Sequence, residues 1–458
     1  IAGLFFFFFG GIFCYLFRLE KYQIRLFMKV DVLLGFLWCD LGKGKIVDVL
    51  TPEYDIIARF QGGPNAGHTL EIAGDKHVLH TIPSGIFHRE KINIIGNGVI
   101  LDPLLFQYEL EGLKEKGVAP ENNLLISKKA HLILPSHRLL DAAYESAKGN
   151  SKIGSTLKGI GPTYTDKTAR TGLQVKDILD ESFTAKYEQL KQQHLNIIKS
   201  YGFDYENHEL EGMPFAEYEK KWLAAAEHIK TLKVINTENY INKQLNSGKS
   251  VLAEGAQGTL LDIDFGSYPY VTSSNTITAG VCSGLGLAPS KIGNVYGIVK
   301  AYCTRVGSGP FPTELFDEDG RKLRDEGHEY GATTGRPRRC GWLDINALKY
   351  AIMLNGVTDL VMTKADVLSA FDVFKVCDAY KSKDGTTITE FDIDKAEITP
   401  AFKSFKGWNV SLDHVKAKAQ FPEQLSEYIK YIEEETGVPV TILSVGADRD
   451  KTITLKYH

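Results

Sequence analysis

The 458 residues contain no CxxC pair, and from Met28 onward no low-complexity linker and no internal repeat. The six cysteines, Cys14, Cys39, Cys282, Cys303, Cys340 and Cys377, are scattered. That spacing excludes a thiolate metal cage and argues against a disulfide framework. Idle thiols suit a reducing compartment, and the chain is expected in the cytoplasm. Charge of one sign is also lacking. The formal net charge is −4, which gives no electrostatic footprint for nucleic acid. Long apolar runs are absent with one exception, Ile1 to Phe17, read IAGLFFFFFGGIFCYLF and followed by Arg18, Lys21 and Arg25. This run has the character of an anchor or signal h-region, but it is short for a span and has no clear cleavage site. The first Met is Met28, immediately before the first credible strand. Residues 1–27 are therefore read as a non-native or artefactual apolar extension, and residues 28–458 as a single domain with no membrane role.

What is present is a globular composition, 43% hydrophobic and 24% charged, with enough apolar residues for a large core. Short Val/Ile/Leu-rich runs at Tyr54–Phe60, Ile92–Ile95, Leu124–Ile126, Ser250–Ala253, Val295–Tyr302, Leu360–Thr363 and Val440–Ser444 have the character of strands buried on both faces. Helical patterns alternate with them at Pro103–Lys116, Ser136–Ala147, Phe183–Tyr201, Phe215–Leu232, Ile345–Leu354 and Pro422–Thr436. This alternation predicts an α/β fold with a mainly parallel, doubly wound central sheet, flanking helices and a helix-rich excursion over 183–246.

Val30 to Val49 reads VDVLLGFLWCDLGKGKIVDV: a strand, a glycine-containing loop ending Gly42-Lys43-Gly44-Lys45, then a helix start. This is a P-loop-NTPase-like phosphate cradle, in which backbone N–H groups and the helix N-terminus meet anionic oxygens. It also carries an acid, Asp40, which suggests chemistry in addition to binding. Gln61 to Thr69 reads QGGPNAGHT, a tight turn that presents His68. A lone histidine in a turn is usually satisfied by its surroundings; the companion motifs favour a functional one here. Ile153 to Arg170 reads IGSTLKGIGPTYTDKTAR, with hydroxyl and amide donors for an anion and a guanidinium at its end. In Glu254 to Asn275, EGAQGTLLDIDFGSYPYVTSSN, Gln257 could read a base edge and Thr272 could hold a phosphate oxygen. Gly331 to Asp344 reads GATTGRPRRCGWLD. Thr333 and Thr334 could hold a carboxylate there, and Arg336 and Arg338 could bind carboxylate or phosphate. Thr363-Lys364-Ala365-Asp366 follows a strand and suits a guanine reader: the Asp accepts from the ring N–H and the exocyclic amine, and the Lys stem packs along the base. Ser444-Val445-Gly446 could close the other side of the base.

Together these motifs, with TRVGSGPFPTEL at Thr304–Leu315, resemble the adenylosuccinate synthetase family from Met28 to about the C-terminus. The resemblance implies a ligase of purine biosynthesis that uses GTP to join IMP and L-aspartate through 6-phosphoryl-IMP, releasing GDP and phosphate. It implies Asp40 as general base and metal ligand, His68 as general acid, and one Mg²⁺ per subunit held by Asp40 and the Gly67 carbonyl. GTP contacts are implied at Cys39, Asp40, Leu41, Gly42, Lys43, Gly44, Lys45, Gly67, His68, Thr69, Arg338, Lys364, Ala365, Asp366, Ser444, Val445 and Gly446. IMP contacts are implied at Asp40, Lys43, Asn65, Ala66, Gly67, His68, Thr156, Arg170, Gln257, Thr272 and Arg336. Aspartate contacts are implied at Ala332, Thr333, Thr334, Gly335, Arg336, Pro337 and Arg338. Arg170 matches an arginine that reaches a neighbouring subunit's IMP phosphate, which implies a homodimer.

The chain departs from the family in one loop. The family usually reads Gln-Trp-Gly-Asp-Glu-Gly-Lys-Gly-Lys, and this chain reads Leu37-Trp38-Cys39-Asp40-Leu41-Gly42-Lys43-Gly44-Lys45. Cys39 puts a Cβ where backbone should approach phosphate, and Leu41 removes a carboxylate beside Asp40. Two other readings compete. A P-loop GTPase-like binding module would explain the cradle, but the lysine is not followed by the Mg²⁺-binding Ser/Thr of that class. The D-x-x-G at Asp317–Gly320 also has no buried strand before it. A catalytically impaired synthetase paralogue would explain Cys39 and Leu41.

Overall fold

Val30–Gly35 (β1) shows why the sheet is parallel and buried on both faces. Val30, Val32 and Leu34 enter one apolar cluster, while Leu33 enters another on the opposite face. This is the two-residue period of a strand covered on both sides. Each such side chain removed from water contributes about 1.5–3 kcal/mol. A computed structural model describes residues 28–38, 42–149, 152–331, 335, 337–392 and 398–455. Nine further strands join β1: Ile56–Arg59 (β2), Ile92–Ile95 (β3), Leu124–Ser127 (β4), Val234–Ile235 (β5), Val251–Glu254 (β6), Ile292–Lys300 (β7), Asp359–Thr363 (β8), Val440–Ser444 (β9) and Thr452–Thr454 (β10). The ten-stranded sheet has the order β5-β4-β3-β2-β6-β1-β7-β8-β9-β10. Strands β1 to β9 run parallel, and β10 pairs antiparallel with β9. Parallel strands end at a common edge, so the segments leaving β1, β6, β8 and β9 lie together, where doubly wound sheets place their ligands.

The helix after β1, Lys43–Leu50 (α1), packs Ile46, Val47 and Leu50 against Leu33, Leu252, Val361 and Ile442. The expected strands and helices are present, with ends moved by a few residues. Asp102 accepts from the N–H groups of Leu104 and Leu105 and starts Pro103–Glu115 (α2), a side-chain N-cap followed by proline. The excursion holds Phe183–Ser200 and Phe215–Ile229, and it also supplies β5 to the sheet edge. Trp222 anchors it: the ring stacks 5.3 Å from Tyr187, and its Nε1 donates to the Ile133 carbonyl at 2.9 Å.

A second sheet does not follow from the alternation of strands and helices. Leu343–Asp344, Val373–Lys381, Thr387–Ile388 and Thr399–Lys406 form four strands, mostly antiparallel. Phe374 and Val376 enter the core while Val373 and Lys375 remain exposed, so this sheet is half-solvated, as antiparallel sheets allow. Asp317, the first residue of the D-x-x-G, caps a helix by accepting from the Gly320 N–H at 3.2 Å, an ordinary structural role for that motif.

Trp222 is fully buried and hydrogen-bonded, so Trp222→Ala is expected to cost about 3–5 kcal/mol. Denaturant unfolding followed by far-UV circular dichroism checks this; a loss below about 1 kcal/mol contradicts the anchoring role.

Candidate active site

The phosphate loop leaves β1 through Phe36, whose N–H donates to the Ile298 carbonyl at 2.9 Å. Leu37 is left-handed, with φ 56°, and its carbonyl accepts from Leu260 N–H at 3.0 Å. Trp38 donates to Ser267 Oγ at 3.3 Å, and the Arg305 guanidinium lies 5.2 Å over its ring. Cys39, Asp40 and Leu41 lie outside the described residues. The chain re-emerges at Gly42, left-handed at φ 87°, which is the N-cap of α1 without a side-chain cap. A Cβ at Gly44 would stand 3.0 Å from His68 Cβ. The absent side chain therefore lets the helix start sit directly against the candidate acid.

Lys43 is buried, and its Nζ donates to the Gln257 carbonyl at 2.6 Å. Lys45 Nζ donates to Ser444 Oγ and the Gly446 carbonyl, both at 2.8 Å, and to the Lys451 carbonyl at 3.2 Å. Burial lowers its pKa to about 8, against the pull of Asp366. The two lysines thus tie α1 to the segments that leave β6 and β9.

His68 begins the hairpin His68–Ile72/Asp75–Leu79, which also carries Thr69. Its Nδ1 meets Glu254 Oε1 at 2.5 Å. Glu254 also accepts from Ser84 N–H at 2.8 Å and Ser84 Oγ at 2.6 Å, and Arg59 stands 3.9 Å away. Burial alone would raise the Glu254 carboxyl; the His68 and Ser84 hydrogen bonds and the Arg59 charge outweigh it and hold Glu254 below the usual carboxylate range. An ionised acceptor fixes a proton on Nδ1 and directs Nε2 away from Glu254. Glu254, Ser84 and Arg59 surround His68, and the motif reading missed all three. The available signals were an acid ending β6 and an arginine inside the otherwise apolar β2.

Before His68, Asn65 Oδ1 is buried and accepts no hydrogen bond among the described residues. The Ala66 carbonyl meets His80 Nδ1 at 2.6 Å. The Gly67 carbonyl takes part in no hydrogen bond among the described residues. An oxygen donor of this kind suits a hard cation such as Mg²⁺.

On the other side, Lys364 is left-handed at φ 63° and opens the short helix Ala365–Ala370. Its Nζ donates to the Gly327 carbonyl at 3.0 Å. Asp366 is raised by burial, against the pull of Lys364, and its Oδ1 is buried with no hydrogen bond among the described residues. A donor pair on a bound base would satisfy that oxygen. Val445 N–H donates to the Lys451 carbonyl at 2.9 Å, which closes the loop around Gly446. Arg338 donates to Glu329 Oε2 at 2.8 Å, and Glu329 also accepts from Lys300 at 2.9 Å and Tyr302 at 2.5 Å. Burial would raise Glu329; the charges of Lys300 and Arg338 dominate and bring it to about 2. The 332–338 loop is described only in part. Gly335 is left-handed at φ 63° with its N–H on the Gly331 carbonyl, and Pro337 bridges Tyr330. Ala332, Thr333, Thr334 and Arg336 lie outside the described residues.

Gln257 sits against Gly62 and Lys43, and Thr272 N–H donates to the Leu261 carbonyl. Thr156 is exposed. Ile160–Ala169 faces the site at its N-terminal end, where a Cβ at Gly161 would stand 3.5 Å from Ser273 Oγ and the Tyr164 hydroxyl accepts from Gly62 N–H. Arg170 is at the far end, about 14 Å along the helix axis from Gly161. The fold therefore brings Gly42 to Lys45, His68, Gln257, Lys364 to Asp366 and Ser444 to Gly446 together, and leaves Arg170 outside that cluster.

The model of the adenylosuccinate synthetase family matches residues 32–453. The chain is 58% identical to adenylosuccinate synthetase of Phocaeicola vulgatus over 427 residues, covering 93% of this chain and 99% of that protein. It is 57% identical to that of Porphyromonas gingivalis with the same coverage. Among solved structures, fully ligated adenylosuccinate synthetase from Plasmodium falciparum superposes with a TM-score of 0.84 at 35% identity, covering 93% of this chain and all of that one. A cyanophage S-2L succinoaminodeoxyadenylate synthetase, 19% identical with a TM-score of 0.58, shares the fold. The chain therefore belongs to the adenylosuccinate synthetase family, enzymes that use GTP to join IMP and L-aspartate in AMP biosynthesis.

Proposed function

We propose that this chain makes adenylosuccinate at the edge where β1, β6, β8 and β9 end, with the roles divided as follows. Asp40 takes the N1 proton of IMP, so that the 6-oxygen attacks the γ-phosphate of GTP. His68, fixed by Glu254, acts as general acid for phosphoryl transfer, and the amine of aspartate then displaces phosphate at C6. Lys43 and the amides at the start of α1 neutralise charge on the transferring group, the main requirement of phosphoryl transfer. Asp40 and the Gly67 carbonyl would hold one Mg²⁺, which supplies further charge neutralisation when bound. Asn65, Ala66, Thr156, Gln257, Thr272 and Arg336 hold IMP, and the 332–338 loop holds aspartate. Lys364, Ala365, Asp366, Ser444, Val445, Gly446 and Arg338 hold GTP. The protein works as a cytoplasmic homodimer in which Arg170 reaches the neighbouring IMP phosphate. The observation that carries this reading is the 2.5 Å contact between His68 and Glu254, set beside the Gly44 helix start.

The decisive assay follows adenylosuccinate absorbance with IMP, aspartate, GTP and Mg²⁺. Product is expected only when all three substrates are present; GTP hydrolysis without IMP, or GTP binding without turnover, overturns the reading.

Asp366→Asn is expected to raise the KM for GTP by about 10-fold or more, because the second acceptor that meets the guanine donor pair is lost. The KM for IMP should change by less than about threefold. Equal effects on both substrates would remove Asp366 from the base site.

Restoring the family's loop with Cys39→Gly and Leu41→Glu together is expected to raise kcat by about 10-fold or more. It returns close backbone approach and a carboxylate beside Asp40. An unchanged kcat would show that this loop accepts both residues at no catalytic cost.

A further inference from the structure

A buried cluster outside the substrate cradle joins three helices. His137 on Pro135–Ala147, Asp166 on Ile160–Ala169 and His194 on Phe183–Ser200 bring their polar atoms within 4.8 Å of one another. The residue types would suit a metal, but the hydrogen bonds do not. Leu134 N–H donates to His137 Nδ1 at 2.9 Å, so that nitrogen is the acceptor and Nε2 carries the proton. Nε2 donates to Asp166 Oδ2 at 2.9 Å, and His194 Nε2 meets the same oxygen at 2.9 Å. Burial lowers His137 to about 4, against the pull of Asp166, so its ring is neutral. A neutral histidine with a fixed Nε2 proton cannot ligate through that nitrogen.

The rest of Asp166 faces the end of its own helix. Its carbonyl accepts from Thr171 N–H at 3.0 Å and Gly172 N–H at 3.2 Å, and its Oδ1 accepts from Thr171 Oγ1 at 3.2 Å. Between these contacts lies Arg170, exposed and left-handed at φ 67°. A helix end of this shape normally takes glycine. An arginine there accepts backbone strain to place its side chain, and surrounding contacts must hold it.

We propose that His137, Asp166 and His194 form a positioning triad that holds Arg170 in the left-handed conformation from which it reaches the IMP phosphate of the neighbouring subunit. The inference rests on the role proposed above for Arg170. The two histidines fix Oδ2, which turns Oδ1 to Thr171 and sets the backbone that aims the guanidinium.

The test compares variants in steady-state kinetics. Asp166→Ala removes both arms and is expected to raise the KM for IMP by about 10-fold, as Arg170→Ala does, with kcat within about threefold of the parent. Asp166→Asn keeps an oxygen for both histidines and an N–H for Thr171, and should stay within about threefold of the parent KM. Thr171→Val, an exposed change that does not threaten folding, should raise it by about two- to threefold. Mixing Asp166→Ala with Lys43→Ala subunits should restore the parent KM for IMP, since the hybrid dimer combines an intact cradle with a correctly held Arg170. Mixing Asp166→Ala with Arg170→Ala should not. A folded Asp166→Ala protein with the parent KM overturns the triad while leaving Arg170 intact. If Asp166→Ala does not fold, an unchanged KM in Thr171→Val overturns the triad. An unchanged KM in Arg170→Ala overturns the role of Arg170 and the triad together.

Discussion

Two buried ammonium groups in the first turn of α1 set the geometry of everything around them. Lys43 and Lys45 sit at the positive end of a helix, where a cation is disfavoured by about 0.3–1 kcal/mol, and both are removed from water. Among the described residues their burial is offset by the Gln257, Gly446 and Lys451 carbonyls and Ser444 Oγ. Those acceptors belong to chain segments leaving β6 and β9. The lysines therefore fix the two segments that flank the start of α1.

The same economy appears on both sides of the cradle. A fully buried carboxylate is costly unless several donors surround it. Glu254 has His68, Ser84 and Arg59; Glu329 has Lys300, Tyr302 and Arg338. Each acid is more than a neutral filler. Glu254 sets the tautomer of His68, and Glu329 orients Arg338 while the neighbouring Gly327 carbonyl receives Lys364. Asp366 differs because its buried Oδ1 has no such partner among the described residues. Within one site, the satisfied acids position other side chains, and the unsatisfied acid is the one suited to meet a ligand.

The central sheet was legible because its strands are continuous Val/Ile/Leu runs separated by helical patterns, a signal that local sequence carries directly. The Gly42–Lys45 cradle, His68 and the Lys364–Asp366 turn were legible because glycines and charges at strand ends stand out from apolar neighbours. The second sheet was not, since Val373–Lys381 alternates with only one face buried and its partner Thr399–Lys406 carries exposed residues. Arg59, Ser84 and Glu254 come from three distant segments. Their convergence depends on β2 pairing with β6, which no local pattern states. His137, Asp166 and His194 read as ordinary helix residues until the three helices pack.

The departures from the family in the phosphate loop are not equivalent. Leu37 lies on the described side of the loop, where it is buried among Trp38, Leu260 and their neighbours. Its backbone is left-handed, a cost of about 1–2 kcal/mol for a residue with a Cβ. Yet its carbonyl still receives Leu260 N–H, and a Cβ on Gly258 would come within 2.4 Å of it. The surroundings are thus built tightly around this backbone, and the leucine side chain is absorbed into the core. Gly42, Lys43, Gly44 and Lys45, on the far side, match the family's usual residues. The two described ends of the loop are thus held by the surrounding chain, Leu37 through Leu260 and Lys43 and Lys45 through the segments leaving β6 and β9.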